Sequence, residues 1–197
     1  MKIKRGSKFR KPGYPVDRIF LDRWSSRAMC GKKISEKELM SLFEAARWAP
    51  SAFNEQPWRF IYSIKGTKEW KKMLGTLGEK NQIWCKNSAA LVCLISKKNF
   101  SHNGNPNKNH LSDAGAAWEN LALQGCSKGF VIHGMAGFNF EKARKELKIP
   151  KDYDIVQMIA IGKCGNPKDL PEEMQKLENP NNRKSLKEIV FKGKFKN

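Results

Sequence analysis

Residues 34–64 read ISEKELMSLFEAARWAPSAFNEQPWRFIYSI, and this stretch predicts a helix, a rigid turn and a strand in succession. Ser35 and Glu38 have the spacing of a capping box, which marks the start of a helix. Apolar residues then follow at the i, i+3, i+4 and i+7 positions of one helix face, namely Leu39, Leu42, Phe43 and Ala46. We therefore expect an amphipathic helix that buries one face.

The turn that follows this helix spans residues 49–57. Pro50 and Pro57 block helix continuation and remove two backbone donors, so the path of the chain between them is rigid. The turn carries three polar side chains, those of Ser51, Asn54 and Gln56. A helix-ending turn that anchors Trp58 in the core explains this pattern about as well as a binding site does.

Strands and helices alternate through most of the chain. We expect strands at 58–64, 89–95, 154–162 and in FVIHGMAGF from Phe130, and helices at 67–77, from Asp113 to just before Gly129, and at 140–148. The segment from Asn99 to His110 is polar and predicts a loop. This alternation indicates an α/β or α+β architecture with helices packed against a sheet.

Length and composition indicate one soluble, cytoplasmic domain. The 197 residues are 40% hydrophobic, which suffices for one substantial core. The chain has no apolar run of 18 residues, and its basic first 15 residues lack the apolar segment of a signal peptide. The five cysteines are far apart and never form a C-x-x-C pair, which favours reduced thiols over disulfides or a zinc site.

The formal net charge of +19 raises the question of a nucleic-acid partner. The basic residues are mostly lysines, are interleaved with acidic residues, and are not arranged in an arginine stripe with regular aromatics. We expect solvated lysine faces and basic tails, with a smaller part of the charge serving one bound anion. A basic nucleic-acid-binding module without a cofactor is the alternative.

Three further stretches place polar or flexible groups where a ligand could be held. RWSSR aims Arg23, Ser25 and Arg27 to one side, which suits a phosphate or a carbonyl edge, although basic residues are common throughout this chain. HGMAGF at 133–138 ends in a glycine turn whose backbone can approach a ligand, or is an ordinary end of a strand. NNRKS at 181–185 adds two cations, or is a solvated tail.

Common catalytic motifs are absent from the sequence. The chain has no G-x-G-x-x-G, Walker A, G-x-S-x-G or H-E-x-x-H motif, and its three histidines do not have metal-ligand spacing. Donors and cations without an obvious nucleophile suit a cofactor that supplies its own reactivity.

The order and spacing of six segments resemble the nitroreductase family of flavin-dependent oxidoreductases. They are RWSSRAM (23–29), ISEKELMSLFEAARWAPSAFNEQPWRFIYS (34–63), EKNQIWCKNSAALVCLI (79–95), DAGAAWENLALQGCSKGFVIHGMAGF (113–138), LKIPKDYDIVQMIAIGK (147–163) and NRKSLKEIVFKGKF (182–195). The resemblance implies an α+β fold with a central mixed or antiparallel sheet flanked by helices. It also implies an intertwined homodimer with two FMN sites at its interface and NAD(P)H as electron donor.

The resemblance implies the following FMN contacts. Arg23, Ser25, Arg183 and Lys184 would hold the phosphate. Arg27 would face the pyrimidine edge, where a cation stabilises reduced flavin, and Asn81 would lie near the same ring. The backbone of Gly134, Met135, Ala136 and Gly137 would lie beside the flavin, with the N–H groups of Ala136 and Gly137 directed at N5 and O4.

The rigid turn would come from the partner subunit. Its residues Pro50, Ser51, Ala52, Asn54 and Gln56 would close over the ring and the ribityl chain, although Gln56 could also only brace the loop. Ala52 replaces a serine that many relatives have, and Ser185 replaces a proline. We expect a basic extension at 1–17 and one domain at 18–197, whose C-terminal tail from about 165 extends over the partner.

The resemblance implies a ping-pong reaction without a catalytic side chain. NAD(P)H would give a hydride to FMN N5, and an electron-poor acceptor such as a nitroaromatic, quinone or activated alkene would then take the electrons. Reductive dehalogenation and oxygen-dependent flavin breakdown are alternatives on the same fold.

Overall fold

Four antiparallel strands form the sheet at the centre of the computed structural model, which describes residues 3–195. The strands are β1 (Trp58–Ile64), β2 (Ala90–Lys97), β3 (Phe130–Met135) and β4 (Tyr153–Lys163), in the spatial order β1-β2-β4-β3. One row across the sheet joins Ile61, Cys93, Met158 and Met135. The α+β class expected from the sequence is confirmed, and the sheet is antiparallel throughout.

Eight α-helices surround the sheet within the described residues. They are α1 (Arg18–Asp22), α2 (Glu36–Arg47), α3 (Lys68–Leu74), α4 (Glu79–Cys85), α5 (His110–Ser127), α6 (Phe140–Glu146), α7 (Glu172–Gln175) and α8 (Leu186–Ile189). No helix of residues 3–195 combines the length and the apolar character that crossing a bilayer requires.

Two hydrophobic cores lie on the two faces of the sheet. Helices α2 and α5 pack on one face, where Val92 and Leu94 of β2 point. Helices α3, α4 and α6 pack on the other face, where Leu91 and Cys93 of β2 point. Since β2 is buried on both sides, its sequence is continuously apolar rather than alternating.

Helix α2 has the predicted capping box. The Ser35 hydroxyl accepts the Glu38 N–H at 3.2 Å, and the Glu38 carboxylate accepts the Ser35 N–H at 2.7 Å. Leu39, Leu42 and Ala46 are fully buried, as their spacing predicts, while Phe43 is only partly buried.

Several helices differ from the prediction: α3 ends at Leu74 rather than at residue 77, and α6 ends at Glu146 rather than at residue 148. Helix α5 begins at His110, three residues before the predicted Asp113, because the Asp113 N–H already bonds to the Asn109 carbonyl oxygen at 2.9 Å within the first turn. Helix α4 was not predicted, since its seven residues are largely polar and give little apolar periodicity. The end of α5 is as expected, because Gly129 follows it with a φ of 77°.

All five cysteines are free thiols in the structure. Burial raises the pKa of the Cys85 and Cys93 thiols, so neither is a reactive thiolate near neutral pH.

Candidate functional site

A buried carboxylate holds the backbone of the RWSSR segment. Glu178, only 2% exposed, accepts the N–H groups of Arg27 and Ala28 at 3.0 Å and the hydroxyl of Ser26. Carboxylates that accept several N–H bonds make strong, directional contacts. Glu178 therefore fixes the backbone of this segment on the side where the Ser26 hydroxyl lies.

A buried histidine holds the same segment from the sheet. Nδ1 of His133 in β3 lies 3.0 Å from the Ser26 carbonyl oxygen, and the His133 ring packs against Trp84 of α4 with centroids 4.6 Å apart. A carbonyl accepts hydrogen bonds only, so Nδ1 carries a proton. Burial lowers the pKa of His133 to about 4, which keeps the ring neutral at physiological pH.

Glu178 does not bond to three other side chains of the segment, which are those of Arg23, Ser25 and Arg27. Arg23 pairs with Glu119 of α5 at 3.5 Å. The guanidinium of the half-buried Arg27 has no hydrogen-bond or carboxylate partner among residues 3–195, although its charge influences His133 and Cys85. The Ser25 hydroxyl likewise has no partner in the described part of the chain. The Arg27 guanidinium is thus an unpaired cation near α4 and β3 within the described residues.

The glycine turn after β3 lies against Asn81 of α4. The Asn81 side-chain amide donates to the Gly137 carbonyl oxygen at 2.9 Å, and the Gly78 N–H donates to the same oxygen at 3.0 Å. A Cβ at Gly137 would come within 2.9 Å of the Asn81 amide nitrogen, which explains why this position has no side chain. The structure therefore brings Asn81 and residues 134–137 together.

Two backbone donors in this turn point to a ligand. Ala136 and Gly137 are exposed, and within residues 3–195 neither N–H group has a hydrogen-bond partner. Gly134 sits deeper, because a Cβ there would lie 3.0 Å from both Trp118 and Gln157. Met135 is buried in the core beneath the turn.

The rigid turn is braced internally, and its backbone is strained. Phe53, Asn54 and Gln56 all have positive φ angles, of 52°, 54° and 50°. The Ser51 hydroxyl accepts the Gln56 N–H at 3.0 Å, and the Gln56 amide donates to the backbone and side-chain oxygens of Asn54.

Neighbouring residues hold the turn from outside. The Asp113 carboxylate accepts the Ala52 N–H at 3.2 Å, and Pro50 is exposed. Phe53 is 86% exposed and meets the Phe100 ring edge-on at 5.6 Å. The turn thus presents a fixed outer surface with an aromatic side chain on it.

The basic pair of the C-terminal tail is joined to the RWSSR segment through Arg10. The Arg10 guanidinium donates to the carbonyl oxygens of Asn181 and Arg23 at 2.8 and 2.7 Å. Arg183 itself is exposed and bonds to the Asn181 side chain at 3.0 Å. Lys184 is exposed beside it.

One chain does not bring all of these residues together. The rigid turn precedes β1 and the glycine turn follows β3, and these strands are the two edges of the sheet. The register places both turns at the same end of the sheet, but three strand spacings separate them, about 14 Å. The segments at 23–27, 81, 134–137 and 181–184 form one group, and the turn at 50–56 stands apart.

Comparisons with known proteins support a single family. A sequence profile of the nitroreductase family matches residues 21–82. A crystal structure described as an oxidoreductase containing FMN superposes with a TM-score of 0.92 at 39% identity, covering 95% of this chain and 96% of that one. The chain belongs to the nitroreductase family.

More distant matches include a sequence relative and a solved structure of the same fold. An Archaeoglobus fulgidus protein named as an NADH dehydrogenase/NAD(P)H nitroreductase is 27% identical over 159 residues, 79% of this chain and 88% of the relative. A nitroreductase family protein from Clostridium difficile has a TM-score of 0.67 at 21% identity, covering 88% of this chain and 95% of that one.

Sequence reasoning missed the residues that support this nitroreductase site from below. These residues bond to backbone groups of other segments and so hold those segments in position; they are Glu178, His133 and Arg10. His133 carries the clearest signal, since a polar residue within an apolar strand requires a buried partner. Glu178 and Arg10 lie in charged segments without periodicity, and nothing in their surroundings marks them.

Proposed function

We propose that this nitroreductase binds FMN and uses it to transfer electrons from NAD(P)H to an electron-poor acceptor. One observation carries the proposal. The half-buried Arg27 guanidinium and the N–H groups of Ala136 and Gly137 have no partners among residues 3–195, and all three border α4 and β3. Accessible donors and a cation that converge on one region can bond to the acceptor atoms of a ligand without breaking contacts within the protein.

The residues present fit the flavin ring. Two adjacent N–H groups suit the acceptor atoms at one edge of an isoalloxazine, and Arg27 suits the edge that becomes negative on reduction. The missing side chain at Gly137 leaves room for the Asn81 amide, which would lie 2.9 Å from a Cβ there, so Asn81 can hold the turn that carries these N–H groups. Asn81 fixes this turn and borders the same ring.

The residues present also fit the phosphate. Arg23, Ser25, Arg183 and Lys184 supply cations and a hydroxyl on neighbouring segments, and guanidinium groups match phosphate oxygens in pairs. The Glu119 carboxylate, 3.5 Å from Arg23, competes for this cation when no anion is bound.

The protein's part in the reaction is binding, orientation and electrostatics. When bound, FMN supplies the two-electron chemistry that connects a nicotinamide donor to a nitroaromatic, quinone or activated alkene. No acid, base or nucleophile needs to be invoked, which agrees with the absence of such motifs from the sequence. Arg27 stabilises negative charge at the ring, and the glycine turn orients it.

We propose further that the rigid turn completes the site of a partner subunit. Its position at the opposite sheet edge from the glycine turn supports this arrangement. So do the exposed apolar side chains of the C-terminal tail, among them Ile189 and Val190. A homodimer would bury both features and would give two sites at its interface.

Steady-state kinetics test the proposed activity. The FMN-loaded protein is assayed with NADH and with NADPH against a nitroaromatic and a benzoquinone, and the donor concentration is varied at several fixed acceptor concentrations. Parallel lines in the double-reciprocal plot are expected, because donor and acceptor use one flavin in turn. Lines that intersect, or no oxidation of either nicotinamide, would contradict the proposal.

A further inference from the structure

Residues 3–10 are built into the domain instead of trailing from it. The Trp24 indole N–H donates to the Lys4 carbonyl oxygen at 2.7 Å, and the Lys4 ammonium donates to the Asn179 side chain at 2.8 Å. The Ser7 N–H donates to Asp22 at 3.1 Å. Residues 3–10 therefore lie between the stretch that leads into RWSSR and the stretch that leads into the basic pair at 183–184.

Arg10 joins these two stretches with one side chain. Its Nη1 donates to the carbonyl oxygens of Leu21 and Arg23 at 2.8 and 2.7 Å, and its Nε donates to that of Asn181 at 2.8 Å. Arg23 and Arg183 lie at or within two residues of these carbonyls. Since the guanidinium is a rigid plane, it fixes the separation of the two backbones.

A glycine makes this contact possible. A Cβ at Gly6 would lie 2.0 Å from the Leu21 carbonyl oxygen and 3.1 Å from Arg10 Nη1. A side chain at position 6 would thus push residues 6–10 away from Leu21, and Arg10 would lose its acceptors.

The charges around Arg10 favour an anion nearby. Arg10 is 8% exposed, and no hydrogen bond satisfies its buried Nη2 within residues 3–195. Burial, with the positive charges of Arg183 and Arg23, lowers the pKa of Arg10. A cavity of about 1020 Å³ lies beside it, lined by the N-terminal segment, Arg183 and Lys184. Asp22 and Glu119 offset part of the charge of these three neighbouring guanidinium groups, and a bound anion would offset more of it.

We propose that Arg10 is a positioning residue of the FMN phosphate site, setting the spacing of Arg23 and Arg183 by holding the backbone of both segments. This inference rests on the proposed function, because it takes FMN as the anion. It gives the basic N-terminal segment a part in cofactor selection: flavins that carry a phosphate are bound in preference to those that lack one.

Comparing FMN with riboflavin separates positioning from general stability, because riboflavin lacks the phosphate. The dissociation constants of both flavins are measured by equilibrium dialysis on the full-length apoprotein. Arg10→Gln is expected to weaken FMN binding about tenfold or more, and to change riboflavin binding by less than about twofold. Lys8→Gln, which removes an exposed charge from the same segment, is the control and should behave as wild type.

Two further variants distinguish geometry from charge. Arg10→Lys keeps the charge, but its three donors share one nitrogen and cannot reproduce the separate Nη1 and Nε contacts to the two backbones. Gly6→Ala keeps Arg10 but displaces it. Both are expected to weaken FMN binding selectively, as Arg10→Gln does. Equal weakening of FMN and riboflavin, or wild-type FMN binding by Arg10→Lys, would overturn the proposal.

FMN binding by the wild-type protein tests the proposed function independently of Arg10. Failure of the wild type to bind FMN would overturn the proposed function and this inference with it. Tight FMN binding by both the wild type and Arg10→Gln would overturn the inference alone.

Discussion

Glu178 shows how one residue determines the geometry of a segment distant in sequence. Its carboxylate accepts two backbone N–H groups and one hydroxyl from residues 26–28. In Glu178→Gln one of these oxygens becomes an NH₂ group that faces donors. We expect the free energy of unfolding to fall by about 1–3 kcal/mol, and FMN binding to weaken because Arg27 is displaced.

Urea unfolding and FMN titration measure these two effects of Glu178→Gln. Glu173→Gln is the matched control, since Glu173 is an exposed carboxylate of the same region. If both variants unfold at the wild-type urea concentration, Glu178 does not hold the segment.

His133 gives a pH dependence whose sign follows from burial. Its pKa is lowered to about 4 in the folded protein, from about 6.5 in the unfolded chain. Protonation therefore favours the unfolded state as the pH falls below 6.5, and stability is lost progressively down to pH 4. On going from pH 7.5 to pH 5, the protonation of His133 should lower the free energy of unfolding by about 2 kcal/mol.

His133→Gln isolates this contribution, because glutamine can still donate to the Ser26 carbonyl and does not titrate. Urea unfolding of both proteins at pH 7.5 and pH 5 should show a larger loss of stability for the wild type. The same loss in both proteins would mean that His133 is not buried as the structure has it.

At the scale of elements, α5 packs on β3 through a position that has no side chain. A Cβ at Gly125 would come within 2.4 Å of Ile132 Cγ1, and Ile132 is buried. Alanine is favoured over glycine in a helix by about 1 kcal/mol, but overpacking a core costs about 1–3 kcal/mol. We expect Gly125→Ala to be net destabilising in thermal or urea unfolding.

Ile132→Ala provides the control for this packing argument. Since alanine lacks both the Cγ1 and the Cδ1 atoms that meet the added Cβ, Gly125→Ala should cost less in the Ile132→Ala background. Additive effects of the two substitutions would argue against direct contact.

The predicted elements were those with strong local signals. The capping box and apolar periodicity located α2, and the continuous apolar run located β2, because each pattern reflects the element's own burial. Helix α4 and the early start of α5 were missed. Helix α4 is short and largely polar, and α5 begins in a polar segment, so neither boundary has apolar periodicity to mark it.

The sequence predicted the residues that are proposed to face the ligand, but not the residues that hold them in position. The RWSSR and glycine-turn motifs are local in sequence, so their spacing is readable. Arg10 contacts a residue 13 positions away in the sequence, and Glu178 contacts one about 150 positions away. No local sequence pattern indicates a contact over such a separation. The C-terminal tail was predicted to extend over the partner from about residue 165, and this stays a prediction; within one chain, Leu170 and Met174 are buried in the core and residues 181–190 are exposed.

At the scale of the whole molecule, the separation of the two turns predicts complementation between subunits. One variant carries Arg23→Ala and Arg27→Ala, and another has residues 51–54 replaced by glycines. Each alone should fail to retain FMN. Refolded together in equal amounts, they should recover about a quarter of the wild-type flavin, since half of the dimers would contain one intact site.

Flavin content after desalting measures this recovery. Each variant refolded alone is the control. No recovery in the mixture, with both variants folded and dimeric, would mean that the turn and the arginines belong to one subunit's site.

The most direct test of the central claim is the flavin stoichiometry of the wild-type protein. The purified chain is incubated with excess FMN and desalted, and its absorbance is recorded before and after anaerobic addition of NADH or NADPH. We predict one FMN per chain and bleaching of the flavin bands by at least one of the nicotinamides. A folded protein that retains no flavin would contradict the account.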